Sequence, residues 1–157
     1  MWTEVASPVG DLLLTAEGSA LTGVWFDGDD GAPRPGERTD DDPVLVAAAE
    51  QLAAYFIGAL TQFDLPLAAA GTPFQQRVWT ALRGIPYATT VSYGEVARGL
   101  GLPPGASRAV GLANGANPIA IVVPCHRVIG ADGRLTGYGG GLDRKRFLLD
   151  LERGALF

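Results

Sequence analysis

Residues 119–130 read Ile119-Ala120-Ile121-Val122-Val123-Pro124-Cys125-His126-Arg127-Val128-Ile129-Gly130. An apolar, strand-like run delivers the tetrad Pro-Cys-His-Arg. Pro124 fixes a backbone torsion just ahead of the thiol. Cysteine is the strongest soft nucleophile a side chain offers, and only as the thiolate. His126 is the natural base beside it, and Arg127 adds positive charge. On a strand, neighbouring side chains point to opposite faces. Cys125 and His126 therefore need a bend in the chain or a bridging water to exchange a proton. The chain of 157 residues has one cysteine and one histidine. That excludes an intramolecular disulfide and a Cys/His structural zinc site. Taken alone, a single cysteine reads as a small buried hydrophobe; its neighbours give this one its chemistry.

Upstream of the tetrad the pattern is helical. From Thr72 or Pro73 to Leu82, Phe74, Val78 and Leu82 recur at i, i+4 and i+8, the spacing of one helix face. Ser92 with Glu95 three residues on is a capping box that opens a short helix through Leu100. Gly101-Leu102-Pro103-Pro104-Gly105 breaks it. Ser107 is placed to cap a further helix from Arg108 to about Gly115. Helix, tight turn and helix is the layout of a helix-turn-helix. Downstream, Gly137-Tyr138-Gly139-Gly140-Gly141 is not followed by a helix opening on Lys-Ser/Thr, so it is no phosphate loop.

The first seventy residues differ in character. Residues 11–16 and 21–26 are short apolar strand candidates separated by the turn Glu17-Gly18-Ser19-Ala20. Residues 27–43, rich in Asp, Gly and Pro, read as a solvated, mobile loop. Pro43 opens a helix over 44–57 that Gly58 stops. Phe63 to Leu67 alternates as a last strand, and 68–71 is a connector. The boundary falls there, giving two domains, 1–70 and 71–157. The net charge of −5 is divided unevenly. Residues 1–72 hold two arginines against twelve acids, and residues 73–157 hold ten basic residues against five acids. Only the second part suits a polyanion. No apolar run is long enough to span a membrane and the N-terminus has no signal-peptide pattern, so a cytoplasmic protein is expected.

Pro124-Cys125-His126-Arg127 resembles the active-site motif of the methylated-DNA–protein-cysteine methyltransferases, the O6-alkylguanine-DNA alkyltransferases. The resemblance continues, in order and spacing, through residues 71–75, Val78-Trp79, Ile85-Pro86-Tyr87, residues 92–97, Arg108-Ala109-Val110-Gly111, residues 114–118, 137–141 and 148–152. It covers about residues 71–152; the N-terminal part fits mainly in layout. It implies an α+β protein: a small N-terminal antiparallel sheet with a helix, ribonuclease H-like, and a mostly helical, winged helix-turn-helix domain.

The resemblance also implies roles. Cys125 accepts the alkyl group from O6-alkylguanine, with O4-alkylthymine as a second substrate, irreversibly and once. His126 takes the thiol proton through a water, and Glu152 orients its ring. Asn117 ties the DNA-binding helices to the active-site segment. Tyr93 donates to the guanine ring, Tyr138 walls the pocket, and backbone N–H near Tyr138 and Gly139 serves O6. The carbonyls of Cys125 and Val128 receive the guanine amine. Arg108 fills the space of a flipped base, and the small residues Ala109, Gly111, Ala113 and Gly115 let the helix approach the minor groove. The implied partner is double-stranded DNA carrying alkylated bases, bound by a monomer with no cofactor, no metal and no membrane contact. The chain departs from the family at Ala88, where glycine is usual, and at Gly139, where some members carry serine. Two other readings of the same residues are a Cys–His hydrolase and a lesion-binding helix-turn-helix protein that transfers nothing.

Overall fold

The computed structural model describes residues 1–29 and 31–154. Asp30, inside the loop expected over 27–43, and residues 155–157, the end of the second expected domain, lie outside the described residues. The chain divides into two compact units, Met1–Ala70 and Gly71–Phe157.

The first unit is a three-stranded antiparallel sheet, β1 (Trp2–Val5), β2 (Leu12–Glu17) and β3 (Ala20–Phe26), in the order β1-β2-β3. The central strand is apolar at nearly every position, and Leu12, Leu13, Leu14 and Ala16 are all buried. Helix α1 (Pro43–Phe56) lies against this sheet. Its start follows from sequence: Pro43 occupies the first turn, and the Asp42 carboxylate accepts from the N–H of Val44 and Leu45, satisfying donors that a helix start leaves open. Leu45, Ala48, Leu52, Tyr55 and Phe56 face inward, each large side chain contributing about 2 kcal/mol by burial.

Two expectations change here. Residues 63–67 are not a strand. Leu67 makes a single isolated bridge to Leu21, flanked by bonds from Leu21 N–H to the Pro66 carbonyl and from Ala68 N–H to the Leu21 carbonyl. Pro66 has no N–H to extend a ladder, and the Gln51 side chain takes both backbone groups of Asp64. The 27–43 loop is exposed along much of its length but tethered. Trp2 N–H donates to the Glu37 carbonyl and Thr39 N–H to the Trp2 carbonyl, and the Arg34 and Arg38 guanidinium groups lie over the Trp2 ring.

The second unit is mostly helical: α2 (Pro73–Arg83), α3 (Tyr93–Gly99), α4 (Ser107–Gly115) and α5 (Leu142–Glu152), with a parallel pair of two-residue strands, β4 (Val91–Ser92) and β5 (Val128–Ile129). Thr72–Gln75 and Ser92–Glu95 both form complete capping boxes. Helices α3 and α4 pack on each other and on α2. Ser107 does not cap α4. A 3-10 turn over Pro104–Ala106 runs straight into the helix, and the Ser107 hydroxyl donates to the Pro104 carbonyl.

The run 119–123 is not a strand either. It is a buried succession of turns, with Ile121 at φ 71°, a conformation that costs a β-branched residue about 1–2 kcal/mol. The run is apolar because it is enclosed; Ile119 alone in it carries an isolated bridge. Asn117 holds it: its Nδ2 donates to the Val123 carbonyl at 2.9 Å and its Oδ1 accepts from Ile119 N–H at 3.0 Å. The chain then turns through a 3-10 helix, Cys125–Arg127. This is the bend that the strand reading required.

Candidate active site

Cys125, His126 and Arg127 leave the 3-10 turn into the interior of the second unit, and all three are buried. The last residue of α5, Glu152, is buried beside them. His126 Nε2 lies 2.6 Å from Glu152 Oε2. Arg127 donates through Nε to Oε1 at 2.8 Å and through Nη2 to Oε2 at 3.1 Å, the two-pronged fit of guanidinium to carboxylate. The N–H of Ala88 also donates to Oε1. A carboxylate at this depth is costly unless such donors replace water. Because it only accepts, Nε2 carries the proton and Nδ1 presents its lone pair. Burial lowers the His126 pKa against the opposing pull of Glu152, with Arg127 and Lys145 lowering it further. The imidazole is thus held as a neutral base.

Arg127 does more than add charge. Its Nη1 donates to the Ile85 carbonyl and its guanidinium lies 5.7 Å from the centre of the Tyr87 ring. Glu152 and Arg127 together fasten the 85–88 turn, where Ala88 sits at φ 63°. The departure from glycine noted at Ala88 therefore falls on a left-handed residue whose own N–H serves Glu152.

Burial raises the Cys125 pKa, while Asn117, Lys145 and Tyr138 pull it down. At rest the group is a thiol with the means to become a thiolate close by. Lys145 is the main source of positive charge. It projects from α5 with no exposure and donates to the carbonyls of Val128 at 2.7 Å and Thr136 at 2.8 Å. Its ammonium lies 6.0 Å from the centre of the Tyr138 ring. Burial lowers the Lys145 pKa, and the charge of Cys125 opposes that.

The remaining expected residues fall on two surfaces. Tyr93, the first residue of α3, donates to the Thr136 carbonyl at 3.2 Å, so its hydroxyl faces the 136–138 segment near Lys145. Tyr138 is half-buried and Gly139 exposed. The carbonyls of Cys125 and Val128, expected to receive a guanine amine, already accept from Asn114 Nδ2 at 3.3 Å and from Lys145; each keeps a second lone pair. On α4, Arg108, Ala109 and Gly115 are exposed and Gly111 half-buried. Ala113 is not on that face. It is 3% exposed, and its carbonyl receives Trp79 Nε1 from α2. Helical periodicity puts Leu112, 73% exposed, outward in its place.

Sequence reasoning missed Asn114 and Lys145 as site residues. Each carried a signal, a polar residue on an apolar helix face: Asn114 four after Val110, and Lys145 three and four before Leu148 and Leu149. Among the described residues no His/Cys/Asp/Glu group is arranged to hold a metal ion, and no helix is long and apolar enough to cross a membrane.

Two family models match the chain: the ribonuclease-like domain of 6-O-methylguanine DNA methyltransferase over residues 1–69 and its DNA-binding domain over residues 73–154. The methylated-DNA–protein-cysteine methyltransferase of Mycobacterium tuberculosis is 56% identical over 149 residues, covering 95% of this chain and 90% of its own. That of Methanosarcina acetivorans is 52% identical over 147 residues, covering 93% and 94%. The crystal structure of Mycobacterium tuberculosis OGT in complex with DNA superposes with a TM-score of 0.87 at 54% identity, covering 98% of this chain and 92% of that one. With both units matched and more than half of the residues shared with such relatives, the chain belongs to the 6-O-methylguanine DNA methyltransferase family.

Proposed function

We propose that this protein repairs DNA by moving the alkyl group of O6-alkylguanine onto Cys125, once per molecule. One observation carries the reading: the only cysteine is buried next to a histidine whose far nitrogen is hydrogen-bonded to a buried carboxylate. The family membership supplies the substrate class.

The reaction is a displacement at the alkyl carbon. His126 Nδ1 receives the thiol proton, and Glu152 stabilises the imidazolium that forms. The thiolate forms the S–C bond as the C–O6 bond breaks, and the pair passes to the purine. The His126 imidazolium then gives up its proton to solvent as guanine takes one at N1, so that overall the thiol proton passes to the nucleobase, His126 returns to neutral, and atoms and charge balance. Tyr93 donates to the ring as charge builds; to do so it exchanges its bond to Thr136. Backbone N–H near Tyr138 and Gly139 serves O6. The carbonyls of Cys125 and Val128 use their second lone pairs for the exocyclic amine. The product thioether is not cleaved by water under mild conditions, so turnover stops at one.

The target atom lies inside a base stack and must leave it. Arg108, exposed at the start of α4, fills the space left behind. Ala109, Gly111 and Gly115 keep the outer face of the helix thin enough for a minor groove, with phosphate contacts rather than base readout setting affinity. The domain of residues 71–157 carries all of this chemistry and that of 1–70 is structural. A DNA substrate supports a cytoplasmic protein. A Cys–His hydrolase and a lesion binder without transfer are not favoured: the family reaction is alkyl transfer, and Cys125 is present to accept it.

The test is stoichiometry. Titrated with a duplex carrying one O6-methylguanine, the protein should restore about one guanine per molecule and then stop, whatever the excess of DNA. Repeated turnover would point to the hydrolase reading. Binding without restoration, equal in wild type and Cys125→Ala, would leave a recognition protein.

A further inference from the structure

We propose that Asn114 is a positioning residue for proton transfer from Cys125, its Oδ1 anchoring the water that links the thiol to His126 Nδ1. The proposal rests on the alkyl-transfer reading and concerns the same site.

Among the described residues, neither Asn114 Oδ1 nor His126 Nδ1, both buried, has a hydrogen-bond partner. Leaving either unpaired costs about 1–3 kcal/mol, and buried groups of this kind are nearly always satisfied. Both belong to residues joined at the Cys125–His126 peptide. Asn114 Nδ2 donates to the carbonyl of Cys125, the peptide that joins Cys125 to His126. Asn114 is 2% exposed and His126 0%. Both orphans are acceptors: Oδ1 by its chemistry, given that Nδ2 is the donor to Cys125, and Nδ1 because Nε2 holds the ring proton toward Glu152. Two acceptors cannot satisfy each other. A water donates one hydrogen to each and keeps its own lone pairs for the Cys125 S–H. Three polar partners is what a buried water ordinarily has.

The transfer then balances. The Cys125 proton passes to the water oxygen as the water's own hydrogen passes to Nδ1, leaving thiolate, water and imidazolium. Asn114 Oδ1 holds the other hydrogen throughout and fixes the water between donor and acceptor. The charged or titratable groups around the relay are Lys145 from α5, Arg127 and Glu152 beside His126, and Tyr138 from the 137–141 segment. None of them bonds to Asn114 Oδ1.

Asn114→Leu keeps the branched shape, though larger, and removes the anchor; Asn114→Ala leaves room for the water without fixing it. Two readouts separate the roles. Iodoacetamide labelling of Cys125 across pH reads thiolate formation without DNA. Single-turnover transfer from a duplex with one O6-methylguanine, across the same pH range, reads the reaction. Both variants are expected to slow transfer about tenfold or more at neutral pH and to move both pH profiles upward, with duplex binding unchanged. A folded variant that keeps the wild-type midpoint in the labelling profile overturns the proposal; this includes one that is slower by the same factor at every pH, as a purely structural role requires. If wild type gives no transfer from the duplex, the alkyl-transfer reading fails instead, and the labelling profile still judges Asn114.

Discussion

His126 Nε2 and Glu152 Oε2 are 2.6 Å apart, and the side chains of both are closed to solvent. One comes from the 3-10 turn after Pro124 and the other from the last residue of α5, twenty-six positions later. Glu152 is also the hub of Arg127 and of the 85–88 turn. Orientation of the base and integrity of the unit are thus invested in one carboxylate.

Glu152→Gln removes that charge and leaves the Arg127 guanidinium buried without its partner. Breaking a buried ion pair on one side typically costs about 3–5 kcal/mol. The second unit should be destabilised by that order in urea unfolding. In conditions where the variant remains folded, transfer should be slower than in wild type. A variant with unchanged stability would mean that the network in this interior is not what holds α5 in place.

Ala88 is strained in a way that a single substitution relieves. At φ 63° an alanine pays the left-handed penalty that glycine does not. Ala88→Gly should stabilise the fold by about 0.5–1 kcal/mol, after the greater freedom of glycine in the unfolded chain is set against the gain. The Ala88 N–H remains to serve Glu152, so the transfer rate should hold. Denaturant midpoints of the two proteins, compared at equal slope, decide it. A lower midpoint for the glycine variant would count against strain at this turn.

Acid should weaken the protein through His126. Its pKa in the fold lies below the ordinary value near 6.5 because burial excludes the charged ring. As pH falls below about 6.5, the unfolded chain takes up a proton that the folded one refuses, so stability declines until the folded pKa is reached. The slope approaches about 1.4 kcal/mol per pH unit. Subtracting the pH–stability curve of His126→Gln from that of wild type isolates this group. The difference should fall as pH drops below about 6.5; a flat difference would show that the ring is not held neutral.

Much of the second unit was legible because its signals are local. Ser92 and Glu95 announce a helix by their spacing alone, and Thr72 with Pro73 fixes another. Cys125, His126 and Glu152 were expected from motif resemblance, and the fold sets His126 Nε2 2.6 Å from Glu152 Oε2. What could not be read is what tertiary burial decides. An apolar run such as 119–123 looks the same whether it pairs in a sheet or is wrapped as a turn, and only the Asn117 bonds tell which. Ala113 is small like its neighbours on α4, but the helix turns it toward Trp79. β1 was missed since Trp2–Val5 is short and lacks turn residues of its own. Its pairing partner, β2, is what makes it a strand.

Lys145→Met tests the charge near the nucleophile. Methionine fills a similar volume without the ammonium, taking its donor from the buried Val128 carbonyl at about 1–3 kcal/mol and leaving the Thr136 carbonyl with Tyr93 alone. The Cys125 thiol loses an electrostatic pull toward thiolate, so its labelling profile with iodoacetamide should move to higher pH. Lys145→Arg keeps the charge but not the compact fit between the two carbonyls, and should hold the profile nearer wild type than methionine does. Identical profiles for wild type and Lys145→Met would remove Lys145 from the activation of Cys125.

The most direct test of the central claim is peptide mass spectrometry of the protein after it meets a duplex with one O6-methylguanine. The account predicts a gain of one methylene, confined to the peptide containing Cys125 and equal in amount to the guanine restored. An unmodified Cys125 peptide alongside restored guanine, or the gain on another residue, would contradict it.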